Sequence, residues 1–317
     1  MSQPSLRRLQ TLLSMNPGYN KLRLAIRNVV PEPILAPIAR AKAFAKVTAA
    51  RVAFTMATRK ADQLPIDLLE LMAASYPEPQ KIRYDPEGLV LRAKANVHEM
   101  EAWLDLSRVR SALELGCMDG MVSAALAGKG IRCFALDISM AAFDQRGRDA
   151  GVTFVQSDAT RLPFAPGAFD LVFSFASFEH FCNPQAVLKE AARILPSGGW
   201  LYLQFGPIAT APYGLHAYRS IPVPYVHILF DLTQVIEFAH QRGRQNDWPY
   251  INNVPLHEYR QMFNEAKQDF RVARYREHPS AGVGAELILR YPGVFRRASD
   301  SIADFLVSGI AILLERR

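Results

Sequence analysis

Apolar and polar positions along this chain recur with two periods, and the points where the period changes mark its elements. An apolar run, Ala112, Leu113 and Leu115, leads into the turn Gly116-Cys117-Met118-Asp119-Gly120. A helix-like segment follows, and a second apolar run stops on an acid, Asp137, 17 residues after Gly120. Residues 152–158 alternate apolar and polar side chains and again end on an acid, Asp158, as a half-buried strand does. Residues 161–170 are a loop punctuated by proline and glycine, and residues 171–176 read as a buried strand. Asn183 and Pro184 suit the cap and first position of a helix that continues through Val187, Leu188, Ala191 and Ile194. That helix breaks at residues 196–199, and residues 200–205 form a further strand. Upstream, Leu89, Ala93, Val97, Met100 and Leu104 lie at helical spacing and predict a helix over residues 87–106. Residues 270–276 and 305–314 read as strands near the end.

The stretch from Ser111 to Asp137 is thus a strand, a tight turn, a helix and a strand. Such a unit puts a glycine turn and a helix start beside a small ligand, with an acid placed to accept hydrogen bonds from a ribose. The ligand class is a nucleoside-containing cofactor. A dinucleotide fingerprint would need glycine where Met118 and Met121 stand, which argues against a nicotinamide oxidoreductase.

The turn E-L-G-C-M-D-G, with Glu114, Gly116 and Gly120 in place, resembles the first motif of class I S-adenosylmethionine methyltransferases. Met118 departs from that motif, occupying its middle glycine. The later series D-A-T-R-L-P-F, F-D-L-V-F-S, F-E-H-F and L-P-S-G-G-W-L resembles the rest of that family's core, in order, over residues 111–205. The resemblance implies a doubly wound, Rossmann-like α/β fold: a seven-stranded sheet with its last strand antiparallel, over residues 85–317. It also implies S-adenosylmethionine as cofactor, with Gly116, Cys117 and Gly120 around its methionine end and Glu114 supporting them. By the same resemblance Asp137 takes the ribose, Ile138 lies against adenine, Asp158 and Ala159 meet the adenine edge, and Ser174 lies near the methyl donor.

Between residues 206 and 260 the chain is rich in aromatics, histidine and proline, too broken for one helix and too aromatic for a solvent linker. It begins at the end of a strand where an open α/β sheet binds its ligands, so it is expected to form an acceptor-site lid. Its 212–230 portion resembles a segment of bacterial methyltransferases acting on small molecules and glycans. Methylation of a hydroxyl benefits from a base, and His180, His216 and His227 are the candidates. The acceptor expected is a small molecule or glycan, methylated on oxygen. Two other readings stand beside this one. Nucleic acid is disfavoured as acceptor because F-A-S-F-E-H replaces the N/D-P-P-Y/F resembling base amino methylators; a non-catalytic binding protein draws its support from Met118.

Charge changes the picture at the N-terminus. Residues 1–60 hold eleven Lys and Arg against Glu32 alone, a net +10 in a chain of net +7. Residues 1–84 are therefore expected as a basic helical region able to meet an anionic membrane surface. Residues 34–57 read as an amphipathic helix there, since Arg40, Lys42, Lys46 and Arg51 interrupt any membrane-spanning run. Cys117, Cys133 and Cys182 show no C-x-x-C pairing and no metal cluster is evident from spacing, consistent with reduced thiols in a cytoplasmic protein, peripheral at most to a membrane.

Overall fold

Seven short runs of β-forming residues pair into one sheet in the computed structural model, which describes residues 32–76, 84–243 and 248–317. The basic residues expected before position 32 lie outside the described residues. The strands are Ser111–Leu115 (β1), Arg132–Asp137 (β2), Thr153–Gln156 (β3), Leu171–Phe175 (β4), Trp200–Phe205 (β5), Phe270–Pro279 (β6) and Val307–Arg316 (β7). Their order across the sheet is β3-β2-β1-β4-β5-β7-β6. The first five run parallel, and β7 is antiparallel to both of its neighbours. This is the doubly wound, Rossmann-like sheet expected from the sequence. Strand order reverses between β1 and β4, and the loops after those two strands open the crevice in which such sheets bind ligands.

Alternation along the strands divides the core between the two faces of the sheet. Leu113, Leu115, Val172, Leu201 and Leu203 belong to one buried cluster together with Val187, Leu188, Ala191 and Ile194 of the helix Pro184–Ile194. Ala112, Ala135, Phe173 and Tyr202 belong to the other, with Ala93, Val97 and Met100 of the helix Pro86–Glu101 and Val122 and Leu126 of the helix Met121–Ala127. Asp85 caps Pro86–Glu101 by accepting from Gly88 N at 3.0 Å, a contact of about 1 kcal/mol. That helix stops at Glu101, short of the predicted 106, because Asp105 turns Leu106–Arg108 into a separate 3₁₀ turn by accepting from Ser107 N.

The chain divides into two compact units. The sheet and its helices lie in the unit made of Gln80–His216, Asp247–Pro279 and Ala303–Arg317. The other unit comprises the described residues within Met1–Pro79, Ala217–Asn246 and Ser280–Ile302, so the segment 206–260 expected as a single lid is divided between units. Inside this second unit the helix Glu32–Met56 buries Ala50 and Phe54, with the Arg296 guanidinium 5.2 Å over the Phe54 ring. Tyr225 is fully buried there, edge-on to Phe295 at 4.9 Å, and Gly284 is left-handed against its ring. Among the described residues no helix is long and apolar enough to cross a membrane.

Candidate active site

The turn after β1 is built by side chains that replace missing caps. Gly120, left-handed at φ +73°, is the N-cap of Met121–Ala127 and has no side chain to offer the helix amides. Asp119 Oδ1 accepts from Met121 N at 2.9 Å, and Glu114 Oε2 accepts from Ser123 N at 3.0 Å and Ser123 Oγ at 2.6 Å. Glu114 reaches that helix because alternation along β1 points it to the face opposite Leu113 and Leu115. Burial pushes its carboxyl up to about 8, against the opposing pull of the Ser123 hydrogen bonds. Asp119, also buried, is ion-paired to Arg92 of the helix Pro86–Glu101.

Gly116 and Cys117 both give their amides to Leu136 O, at 2.8 and 3.0 Å, which locks the turn to the end of β2. Gly116 is left-handed at φ +68°, and a Cβ there would lie 2.5 Å from Ser177 Cβ. Ser177 Oγ in turn lies 2.8 Å from Gly116 O. The Cys117 thiol is buried, and desolvation, with Glu114 and other carboxylates nearby, raises its pKa. A thiol so placed is a packing group, and any ligand contact from this residue falls to its backbone.

Asp137 ends β2 facing the turn. Its Oδ2 accepts from Met118 N at 2.9 Å and its Oδ1 from Ser139 N at 3.1 Å. Each carboxylate oxygen has two lone pairs, so the group is oriented by these amides and keeps capacity for hydroxyl donors. Beside it Ile138 is 72% exposed, Met118 45% and Met140 48%. Such apolar exposure next to a fixed acid suits a ligand with a flat apolar face and a diol. Asp158 is exposed and accepts from Thr160 N at 2.8 Å, while Ala159 is buried beneath it. Ser174 is fully buried and donates to Leu115 O at 2.8 Å, tying β4 to β1, so its hydroxyl is already committed within the sheet.

After β4, the 3₁₀ turn Phe178–His180 brings a glutamate and a histidine to the same switch point. Glu179 is fully buried; its Oε1 accepts from Gly206 N at 3.1 Å, and its Oε2 has no protein hydrogen-bond partner. Desolvation raises its pKa, with His180 opposing. His180 Nδ1 lies 2.6 Å from Tyr250 O, and its Nε2 lies 3.9 Å from Glu179 Oε1. His216 packs edge-on to His180, ring centroids 4.9 Å apart, with its Nε2 2.9 Å from Pro207 O. Of the three histidines read from the sequence, the fold brings His180 and His216 together. His227, on the helix Val226–Leu229, belongs to the other compact unit.

Sequence reading passed over Arg92, Asp119, Ser177 and Glu179. Asp119 stands inside the turn motif and Glu179 beside His180, so both were within view. Arg92, on a helix distant in sequence from the turn, gave no local signal. Spacing also showed no metal cluster, whereas ligand atoms of Glu179, His180 and His216 lie within 4.8 Å of one another in the fold.

A turn locked to β2, a carboxylate at the end of β2 and a polar turn after β4 thus stand at the switch point, where sheets of this kind bind their ligands. Residues 113–203 match the family described as "Methyltransferase domain". The chain is 37% identical over 98 residues to demethylmenaquinone methyltransferase of Mycolicibacterium vanbaalenii, an alignment covering 31% of this chain and 42% of that protein. It is 28% identical over 99 residues to ubiquinone biosynthesis O-methyltransferase of Burkholderia vietnamiensis, covering 29% of this chain and 43% of that one. The chain thus spans less than half the length of these relatives. It is also similar in structure to Haemonchus contortus phosphoethanolamine N-methyltransferase 2, solved in complex with S-adenosyl-L-methionine, at 16% identity and a TM-score of 0.46, covering 70% of this chain and 52% of that one. The residues around Asp137 fit this cofactor: the acid suits its ribose, and exposed Ile138 its adenine.

Proposed function

We propose that this protein transfers the methyl group of S-adenosylmethionine to an oxygen of a small organic or glycan acceptor. Bound S-adenosylmethionine supplies an electrophilic methyl on a sulfonium sulfur. In-line displacement asks the protein chiefly to hold donor and acceptor collinear and to take a proton from the acceptor. The observation that carries the reading is what gathers near the switch point between β1 and β4: Asp137 is held by the amide of Met118 in the turn after β1, and the turn after β4 carries His180, packed against His216. A carbonyl only accepts, so Tyr250 O fixes the proton of neutral His180 on Nδ1 and leaves a lone pair on Nε2. The relatives' names, one an O-methyltransferase of ubiquinone biosynthesis and one a demethylmenaquinone methyltransferase, support a small-molecule acceptor. Transfer of tritiated methyl from S-adenosylmethionine to fractionated cell extract, followed by mass determination of the labelled product, tests it. Protein that binds the cofactor but labels nothing would mark a binding module.

We further propose that the helix Glu32–Met56 lies on an anionic membrane surface. At about 100° per residue, exposed Phe44, Val52 and Met56 share one side, opposite buried Ala50 and Phe54. Arg40 and Arg51 flank that apolar stripe on one edge and Lys42 on the other, all exposed. This is the arrangement of an interfacial helix.

A further inference from the structure

We propose that Glu179, His180 and His216 form a binding site for one divalent first-row transition ion, such as Zn²⁺ or Co²⁺, at the acceptor side of the crevice. This rests on the methyl-transfer reading and deepens it, because such an ion selects the acceptor.

Three observations converge. Ligand atoms of the three side chains lie within 4.8 Å of one another, so that small side-chain rotations bring them to a shared ion about 2.0–2.2 Å from each. Glu179 is fully buried, yet its Oε2 has no protein hydrogen-bond partner. A carboxylate oxygen left so in a core is unfavourable, and a cation supplies the missing partner. Finally, both imidazoles are oriented from behind by backbone carbonyls, His180 Nδ1 by Tyr250 O at 2.6 Å and His216 Nε2 by Pro207 O at 2.9 Å. A histidine that gives one ring N–H to a carbonyl presents its other nitrogen as a ligand, and such outer contacts fix the tautomer of metal-bound histidines. Glu179 is held the same way, its Oε1 on Gly206 N.

Two imidazoles and one carboxylate suit Zn, Co, Fe or Ni better than Mg or Ca, which prefer all-oxygen sites. Three protein ligands leave coordination positions open. The acceptor class that follows is a hydroxyl compound able to coordinate, best with two adjacent oxygens. The ion lowers the proton affinity of the bound hydroxyl. Its proton passes to water, the oxygen–methyl bond forms as the methyl–sulfur bond breaks, and the sulfur keeps the electron pair. His180 and His216 then act by holding the ion and not as the proton acceptor.

The test is equilibrium dialysis of the full chain against Co²⁺ alone, with S-adenosylmethionine binding measured calorimetrically on the same preparations. About one Co²⁺ per chain is expected, with affinity falling more than tenfold in His216→Asn and Glu179→Gln while cofactor affinity holds. His257→Ala, an exposed histidine paired with Asp304, should leave uptake unchanged. No specific Co²⁺ uptake, or uptake undiminished in both ligand variants, overturns the site. Should those variants misfold, proton spectra of the wild-type Co²⁺ form decide: two paramagnetically shifted, exchangeable imidazole N–H signals are expected, and none or one overturns it. Loss of cofactor binding in the wild type would sink the methyl-transfer reading separately, while absent Co²⁺ with intact cofactor binding sinks only this site.

Discussion

Met118 donates its backbone N–H to Asp137 Oδ2 at 2.9 Å from a left-handed conformation, φ +51°. The turn thus keeps a glycine-like backbone at a position where the chain carries methionine, and uses it to aim the acid at the end of β2. Strain at one residue and orientation of the other are two sides of one contact.

Asp137→Ala should weaken S-adenosylmethionine binding by tenfold to a hundredfold. Hydrogen bonds to a charged acceptor contribute roughly 1.5–3 kcal/mol, and about 1.4 kcal/mol is a factor of ten. Titration calorimetry measures this, with circular dichroism confirming the fold. Unchanged affinity in a folded variant would take the ribose role away from Asp137.

Met118→Gly should raise the urea midpoint slightly. Relief of the left-handed conformation contributes about 1–2 kcal/mol, offset by about 0.5–1 kcal/mol of extra chain entropy in the unfolded state. Gly116→Ala should do the opposite, losing more than about 1 kcal/mol, because a Cβ would meet Ser177 from a left-handed backbone. Equal midpoints for the two variants would refute this account of the turn.

Glu114 gives a pH signature. Its folded-state pKa is raised to about 8 by burial, above the ordinary 4.5. The folded form therefore holds its proton more tightly than the unfolded chain, and this stabilising linkage is fully present below pH ~4.5 and lost as pH rises through ~8. Denaturation midpoints of wild type should decline more steeply over that window than those of Glu114→Gln. Parallel curves would show that the carboxyl does not titrate there.

Arg40→Glu with Arg51→Glu should cut binding to phosphatidylserine vesicles by more than about thirtyfold, since each basic residue near such a surface contributes ~1 kcal/mol and two charges are reversed. Phe44→Ser should weaken binding on neutral and anionic vesicles alike. Co-sedimentation indistinguishable from wild type in both variants would end the surface-helix proposal.

Local elements around the turn after β1 could be read in the sequence because its parts are neighbours along the chain. Glu114, Gly116 and Gly120 belong to one turn, and Asp137 closes the next strand, so short-range periodicity and glycine spacing placed them. The roles of individual side chains within that turn were less legible. Neither the burial of Ser174 against Leu115 O nor the pairing of Arg92 with Asp119 follows from any local pattern.

Hydrophobic alternation and turn chemistry thus determined the order of elements from the helix Pro86–Glu101 to β5, with the sheet's central βαβ unit and its glycine turn. Only tertiary structure decided which polar groups face one another. Glu179 and His180 are adjacent in sequence, but His216 joins them after β5 and Tyr250 from farther still. His227 shares the expected lid in sequence and belongs to the other compact unit in space. Periodicity encodes which face of an element is apolar, a property of residues three or four apart. The meeting of side chains from distant loops is set by how β1, β4 and β5 pack side by side, and no local pattern carries that information.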